Sequence, residues 1–194
     1  LYGLVPNLVV RPLHMAYILP WVFLAAVGTR LQRATGWLLT ISGMAACLWV
    51  ACNADALGDQ YGSLEGSIQT VIAIALLLVT MEGARRAIGW PLPIIAAFAL
   101  AYGVWGQYIP GEFGHAGLPL TSFLGTLTIA EGGLWGSLTA VSVGVVAVFV
   151  IFGAILNAGE AGNGFMNLAA TAAGRSVGGA AKVSVVSSAL FGSI

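Results

Sequence analysis

Ser137-Leu-Thr-Ala-Val-Ser-Val-Gly-Val-Val-Ala-Val-Phe-Val-Ile-Phe-Gly-Ala-Ile-Leu156 decides the fold class: it is a run of twenty residues without a formal charge, inside a charge-free stretch from Gly132 to Gly159. A helix of about 20 apolar residues spans the roughly 30 Å hydrocarbon layer of a bilayer. Inside that layer only a helix or a closed barrel satisfies every backbone N–H and C=O. The whole chain agrees with this segment. Of its 194 residues 59% are hydrophobic and 7% are charged, where soluble domains average roughly 25% charged. So few charges cannot cover a water-facing surface. The expected architecture is an all-α integral membrane protein, a polytopic helical bundle of about five transmembrane helices with interfacial helices and a truncated hairpin.

Working outward, charge-free runs place four further crossings at Pro12–Thr29, Gly36–Cys52, Ser67–Met81 and Pro91–Ile109. The third is short and needs Leu64 and Glu82 near the two interfaces. Trp90, Trp105 and Tyr108 flank the fourth as interfacial aromatics do. Pro110, Gly111, Gly114, Gly117 and Pro119 then break the helix, and Thr121–Trp135 reads as a half-buried interfacial or re-entrant helix. Beyond Leu156, Gly159, Gly162 and Gly164 predict a turn and Phe165–Ala173 a short helix. The Arg175–Gly179 stretch is a break, and an apolar helix opens at Ala180. The chain begins at Leu1 and ends at Ile194 within an apolar run, which reads as a fragment, and no cleavable signal peptide is recognised.

Basic residues orient the crossings. Arg30 and Arg33 lie between spans one and two, Arg85 and Arg86 between three and four, and Arg175 and Lys182 after five; the intervening loops carry no Lys or Arg. Six of the seven basic residues thus follow the positive-inside rule, with Arg11 the exception. These six are topology and interface anchors. The alternation also requires the short third span.

Seven basic residues balance seven acidic ones, so no basic field points to nucleic acid. Cys47 and Cys52 form no CxxC pair and read as ordinary small residues, not a zinc site. His14 and His115 have no acidic or cysteine partner at ligand spacing and read as satisfied polar residues. No metal site, catalytic set, phosphate loop or dinucleotide fingerprint is present, and the chain is not read as an enzyme. Glu82 and Arg86, four apart, share a helical face and suit interface anchoring. Glu131, just ahead of the strongest span, has two readings: a water-facing carboxylate, which is the simpler, or part of an ion path. Ser184, Ser187, Ser188 and Ser193 thread hydroxyls through the last apolar segment. Helix packing through small residues and the first arm of a broken helix at an ion or substrate site explain that pattern equally well.

Several ordered motifs carry a family resemblance. Phe152-Gly-Ala-Ile-Leu156, Ala173-Gly-Arg-Ser-Val-Gly-Gly-Ala-Ala-Lys-Val183 and Ser187-Ser-Ala-Leu-Phe-Gly-Ser-Ile194 resemble the start of the large (DctM-like) subunit of tripartite ATP-independent periplasmic (TRAP) transporters. Glu82-Gly-Ala-Arg-Arg-Ala-Ile-Gly-Trp-Pro-Leu-Pro93, the Tyr108–Gly111 turn and Glu131-Gly-Gly-Leu-Trp-Gly136 are similar to the TAXI branch, in which small and large membrane subunits are fused. The turn Asn157–Gly164 departs from the commoner pattern of an acid followed by a Ser-Gly pair. The resemblance implies a permease of the bacterial inner membrane. Residues 1–130 would be a fused small-subunit-like scaffold, and 131–194 the truncated start of the transport subunit. It implies a periplasmic solute-binding protein as partner, a small organic anion as substrate and sodium as coupling ion, with no organic cofactor. Ser187, Ser188, Gly192 and Ser193 are the residues it places nearest the ion and substrate site. A membrane scaffold, a proton-coupled transporter using Glu131, and a permease of another family remain as alternatives.

Overall fold

The computed structural model describes residues 5–25, 29–159, 161–175 and 177–192. Among them there are helices and turns and no strand. The chain divides into two compact units, residues 1–143 and 144–194.

In the first unit, α1 (Asn7–Leu24), α2 (Arg30–Cys52) and α4 (Gly66–Ile88) pack as a three-helix core, with the short α3 (Ala54–Asp59) joining the last two. Each of the three long helices has the length and apolarity to cross a membrane. The first starts five residues before the expected Pro12 and holds Pro12 and Pro20 inside it. Thr29 opens α2 with a reciprocal cap: its hydroxyl accepts from the Gln32 amide at 3.3 Å while the Gln32 side chain accepts from the Thr29 amide at 2.9 Å. That arrangement fixes the helix start four residues after the Ala25 end of α1. The third expected crossing is longer than its charge-free run. The helix continues through Glu82, Arg85 and Arg86 to Ile88, 23 residues in all, because those charges pair with one another and do not stop it.

The Arg-bearing helix ends of the first unit come together. Arg86 donates to the Phe23 carbonyl at 3.3 Å and to the Thr35 hydroxyl at 3.0 Å, tying the end of α4 to α1 and α2. Arg30, Arg33, Arg85 and Arg86 therefore share one end of the bundle. The core between the helices is apolar, with Leu19, Phe23, Val50, Leu76 and Val79 buried.

The fourth expected crossing is shorter than its run. α5 (Pro91–Trp105) has 15 residues and is followed by a 3-10 turn, Gly106–Tyr108. Helix and turn together rise about 28 Å. α5 gives way to that turn after Trp105, and Pro110 with the positive-φ Gly111 then stops the helix. The Thr121–Trp135 segment is two pieces: α6 (Leu120–Thr128), then a 3-10 turn at Gly133–Trp135. α6 rests on the connection between α3 and α4. The Leu64 amide donates to the Thr121 carbonyl at 3.3 Å, and a Cβ on Gly125 would strike the Gly62 backbone. Trp135 closes this end of the core; it is fully buried and its indole N–H donates to the Thr128 carbonyl at 2.6 Å.

The segment beyond Trp135 is helical throughout: α7 (Ser137–Val141), a π-helical turn (Ser142–Val146) and α8 (Ala147–Ala158). The helical region Leu120–Ala158 includes an 18-residue window of mean hydropathy 2.6, the most apolar of the four candidate spans. In the second unit α8 is followed by α9 (Ala161–Ala173) and α10 (Gly179–Gly192). Gly162 and Gly164, expected in a turn, lie inside α9. The expected break after Ala173 is present, from Gly174 to Gly178.

Candidate functional site

α9 and α10 form a helical hairpin across the Gly174–Gly178 break. Between the two arms lies a hollow of about 580 Å³ lined by Met166, Ala180, Val183, Ser184, Ser187 and Ser188. Ser184, Ser187 and Ser188 are spaced i, i+3, i+4, so one face of α10 carries all three hydroxyls. Ser187 is buried, while Ser184 and Ser188 are exposed. No charged side chain lines the hollow. Its chemistry is that of neutral oxygen donors on an apolar wall.

Of the residues singled out from the sequence, Ser187 and Ser188 are brought together here, and Ser184 joins them. Gly192 is the exposed last residue of α10, and Ser193 lies outside the described residues. Arg175 falls in the break between α9 and α10, and Lys182 in the first turn of α10, both exposed. Among the described residues no three His, Cys, Asp or Glu side chains gather as a metal ligand set.

Glu131 belongs to the first unit. It is exposed, accepts a hydrogen bond from the Asn7 side chain at 3.3 Å, and borders a hollow of about 270 Å³ with Leu8, Leu57, Tyr61 and Gly62. Glu82 is the centre of an ion cluster. Arg85 grips it through Nε and Nη2 at 2.6 and 2.7 Å, and Arg86 Nε reaches it at 2.8 Å. The guanidinium of Arg85 also lies 5.2 Å from the Trp90 ring, and that of Arg86 5.1 Å from the Phe23 ring.

One polar seam escaped the reading of the sequence. Asn7, Arg11 and His14 recur at i, i+4, i+7 on α1. Asn7 donates to Glu131, Arg11 to the Trp135 carbonyl, and His14 Nε2 lies 3.0 Å from the Ser142 hydroxyl. The seam stitches residues 131–142 along the first helix. It also accounts for Arg11, the basic residue out of line with the charge alternation: its guanidinium is engaged inside the bundle end. The i, i+4, i+7 spacing of three polar residues in an apolar helix was the available signal.

The family model described as "Tripartite ATP-independent periplasmic transporter, DctM component" matches residues 71–194. The match opens inside α4 and runs through α10, close to two thirds of the chain. The chain belongs to that family. The DctM component is a membrane permease of a transporter and not an enzyme. No curated protein and no solved structure matches the chain.

Proposed function

We propose that this DctM-family chain acts as the membrane permease of a sodium-coupled importer of the TAXI branch, in the bacterial inner membrane. In this reading a soluble periplasmic binding protein hands it a small organic anion. Residues 1–130 serve as a fused small-subunit-like scaffold, and residues 131–194 begin the transport part. The observation that carries the coupling ion is the hollow between α9 and α10, where three serine hydroxyls and no ionisable group form the polar lining. Hard cations take oxygen ligands, and helix ends and breaks at mid-membrane supply carbonyls beside such hydroxyls. A monovalent cation can exchange its hydration shell for neutral oxygens, whereas a proton needs a titratable group. The branch assignment rests on Glu82–Pro93, Tyr108–Gly111 and Glu131–Gly136, which resemble TAXI permeases in order and spacing.

The test uses the intact permease in liposomes with its binding protein. An imposed sodium gradient should drive uptake of a radiolabelled organic acid without nucleotide. Ser187→Ala should raise the half-saturating sodium concentration by about fivefold, the scale of one lost oxygen contact. Uptake that follows a pH gradient without sodium, and collapses in Glu131→Gln, would replace this reading with a proton-coupled one.

A further inference from the structure

The connection between α5 and α6, residues 109–119, is strapped to the end of α5 by one imidazole. His115 Nδ1 lies 3.1 Å from the Gly117 backbone nitrogen, and Nε2 lies 3.1 Å from the Tyr102 carbonyl oxygen. An amide N–H only donates and a carbonyl only accepts. Nδ1 must therefore carry the lone pair and Nε2 the proton, so the geometry fits one neutral tautomer and no other state of the ring. The strap is seated from several sides. The His115 ring meets the Tyr102 ring edge-on, centroids 5.4 Å apart, and the Tyr102 hydroxyl donates to the Phe113 carbonyl at 2.7 Å. The backbone of Gly106 comes so close that a Cβ there would lie 2.5 Å from Nε2.

We propose that His115 is a proton-released clasp: the neutral imidazole, tied to α5 through Nε2, holds the backbone at Gly117, and its protonation frees that stretch of the connection while the tie to α5 stays. A proton on Nδ1 turns the acceptor into a donor facing the Gly117 N–H, and two donors cannot share that contact. The Nε2 bond survives, so release is confined to the Gly117 side. Closure requires the deprotonated ring, so it is complete at high pH and lost as pH falls through the imidazole titration. Histidine changes charge between about pH 5 and 8, and His115 is half-buried, within reach of water. Tyr102 of α5 is the titratable group against the ring; the flanking elements also carry Tyr108 in the 3-10 turn and Glu112 in the connection, and α6 contributes none. Glu112, the carboxylate of the connection itself, is the group to control for. The clasp lies at the end of α5 remote from Arg85 and Arg86, about 22 Å along the helix. By the positive-inside rule that end faces the outside, and the clasp reads external pH.

The experiment follows amide exchange of residues 116–118 in nanodisc-embedded protein from pH 8 to pH 5, as protection factors corrected for intrinsic exchange. The His115 C2 proton is followed in parallel by NMR. Wild type should lose about tenfold in protection, the scale of one hydrogen bond, in step with the imidazole shift. Glu112→Gln should behave as wild type. His115→Gln offers a carbonyl oxygen to Gly117 and an N–H to Tyr102 without titrating, and should hold protection flat across the range. His115→Phe should be flat at the low level. The clasp is overturned if wild-type protection stays constant while the imidazole titrates, if the imidazole does not titrate in this range, or if His115→Gln shows the wild-type loss.

Discussion

Gly36→Ala adds a single methyl group and tests how closely the first two helices approach. A Cβ on Gly36 would lie 2.7 Å from the Phe23 carbonyl oxygen and 3.3 Å from Arg86 Nη1. The same carbonyl accepts the Arg86 hydrogen bond at 3.3 Å. A backbone oxygen cannot swing aside as a side-chain tip can, so the methyl must part α1 from α2 or displace the guanidinium. Overpacking of this kind costs about 1–3 kcal/mol. A hydrogen bond to a charged group is worth about 1.5–3 kcal/mol, and only part of that is forfeited because Arg86 retains Glu82 and Thr35. Against these, alanine gains about 1 kcal/mol over glycine inside a helix. The expected net loss is about 1–3 kcal/mol. The assay is reversible unfolding of the purified protein in mixed micelles, titrated with a denaturing detergent. Gly153→Ala in α8 is the control: nothing lies within 4 Å of its Cβ position, so it should be neutral or stabilised by up to about 1 kcal/mol. If Gly36→Ala is as stable as wild type, the close approach of the two helices at this crossing is refuted. Equal losses in both variants would show a general sensitivity to helix substitution instead.

Trp135→Phe removes the indole donor from the Thr128 carbonyl in a fully buried place. It should cost about 1–3 kcal/mol in the same unfolding assay, for the orphaned acceptor and the lost volume. Single cysteines at Asp59 and Arg85, labelled from outside intact cells with an impermeant maleimide, should react at position 59 and not at 85. Equal labelling would overturn the orientation drawn from the arginines.

The membrane class was legible because it depends on amounts and local order. A charged fraction of 7% and apolar runs near 20 residues settle it through transfer free energy alone. The break at Gly174–Gly178 was legible for a similar reason, since paired glycines around Arg175 favour no helix. Helix ends were read less well where charge was taken as a stop. The sequence rule ends a span at Glu82, but Glu82 pairs with Arg85 and Arg86 at i+3 and i+4, and α4 runs on to Ile88. The fourth span erred the other way, because hydropathy does not register that the backbone tightens into a 3-10 turn at Gly106.

What composition and periodicity cannot carry is the meeting of residues far apart in the chain. Asn7 with Glu131, Arg11 with Trp135 and His14 with Ser142 are separated by 124 to 128 positions, and each partner alone looks like an ordinary polar residue. Only packing decides that three side chains of one helical face are spent on a single neighbouring segment. His115 shows the same division at short range. Its sequence context names a lone histidine in a Gly/Pro-rich connection, while the tertiary structure sets an N–H against one ring nitrogen and a C=O against the other, and so selects the tautomer of its neutral ring. The hydroxyls of Ser184, Ser187 and Ser188 lie between these cases: their helical spacing was written in the sequence, but the hollow they line exists because α9 folds back beside them. Local chemistry is a property of the order of residues; a site is a property of the distances that folding imposes on them.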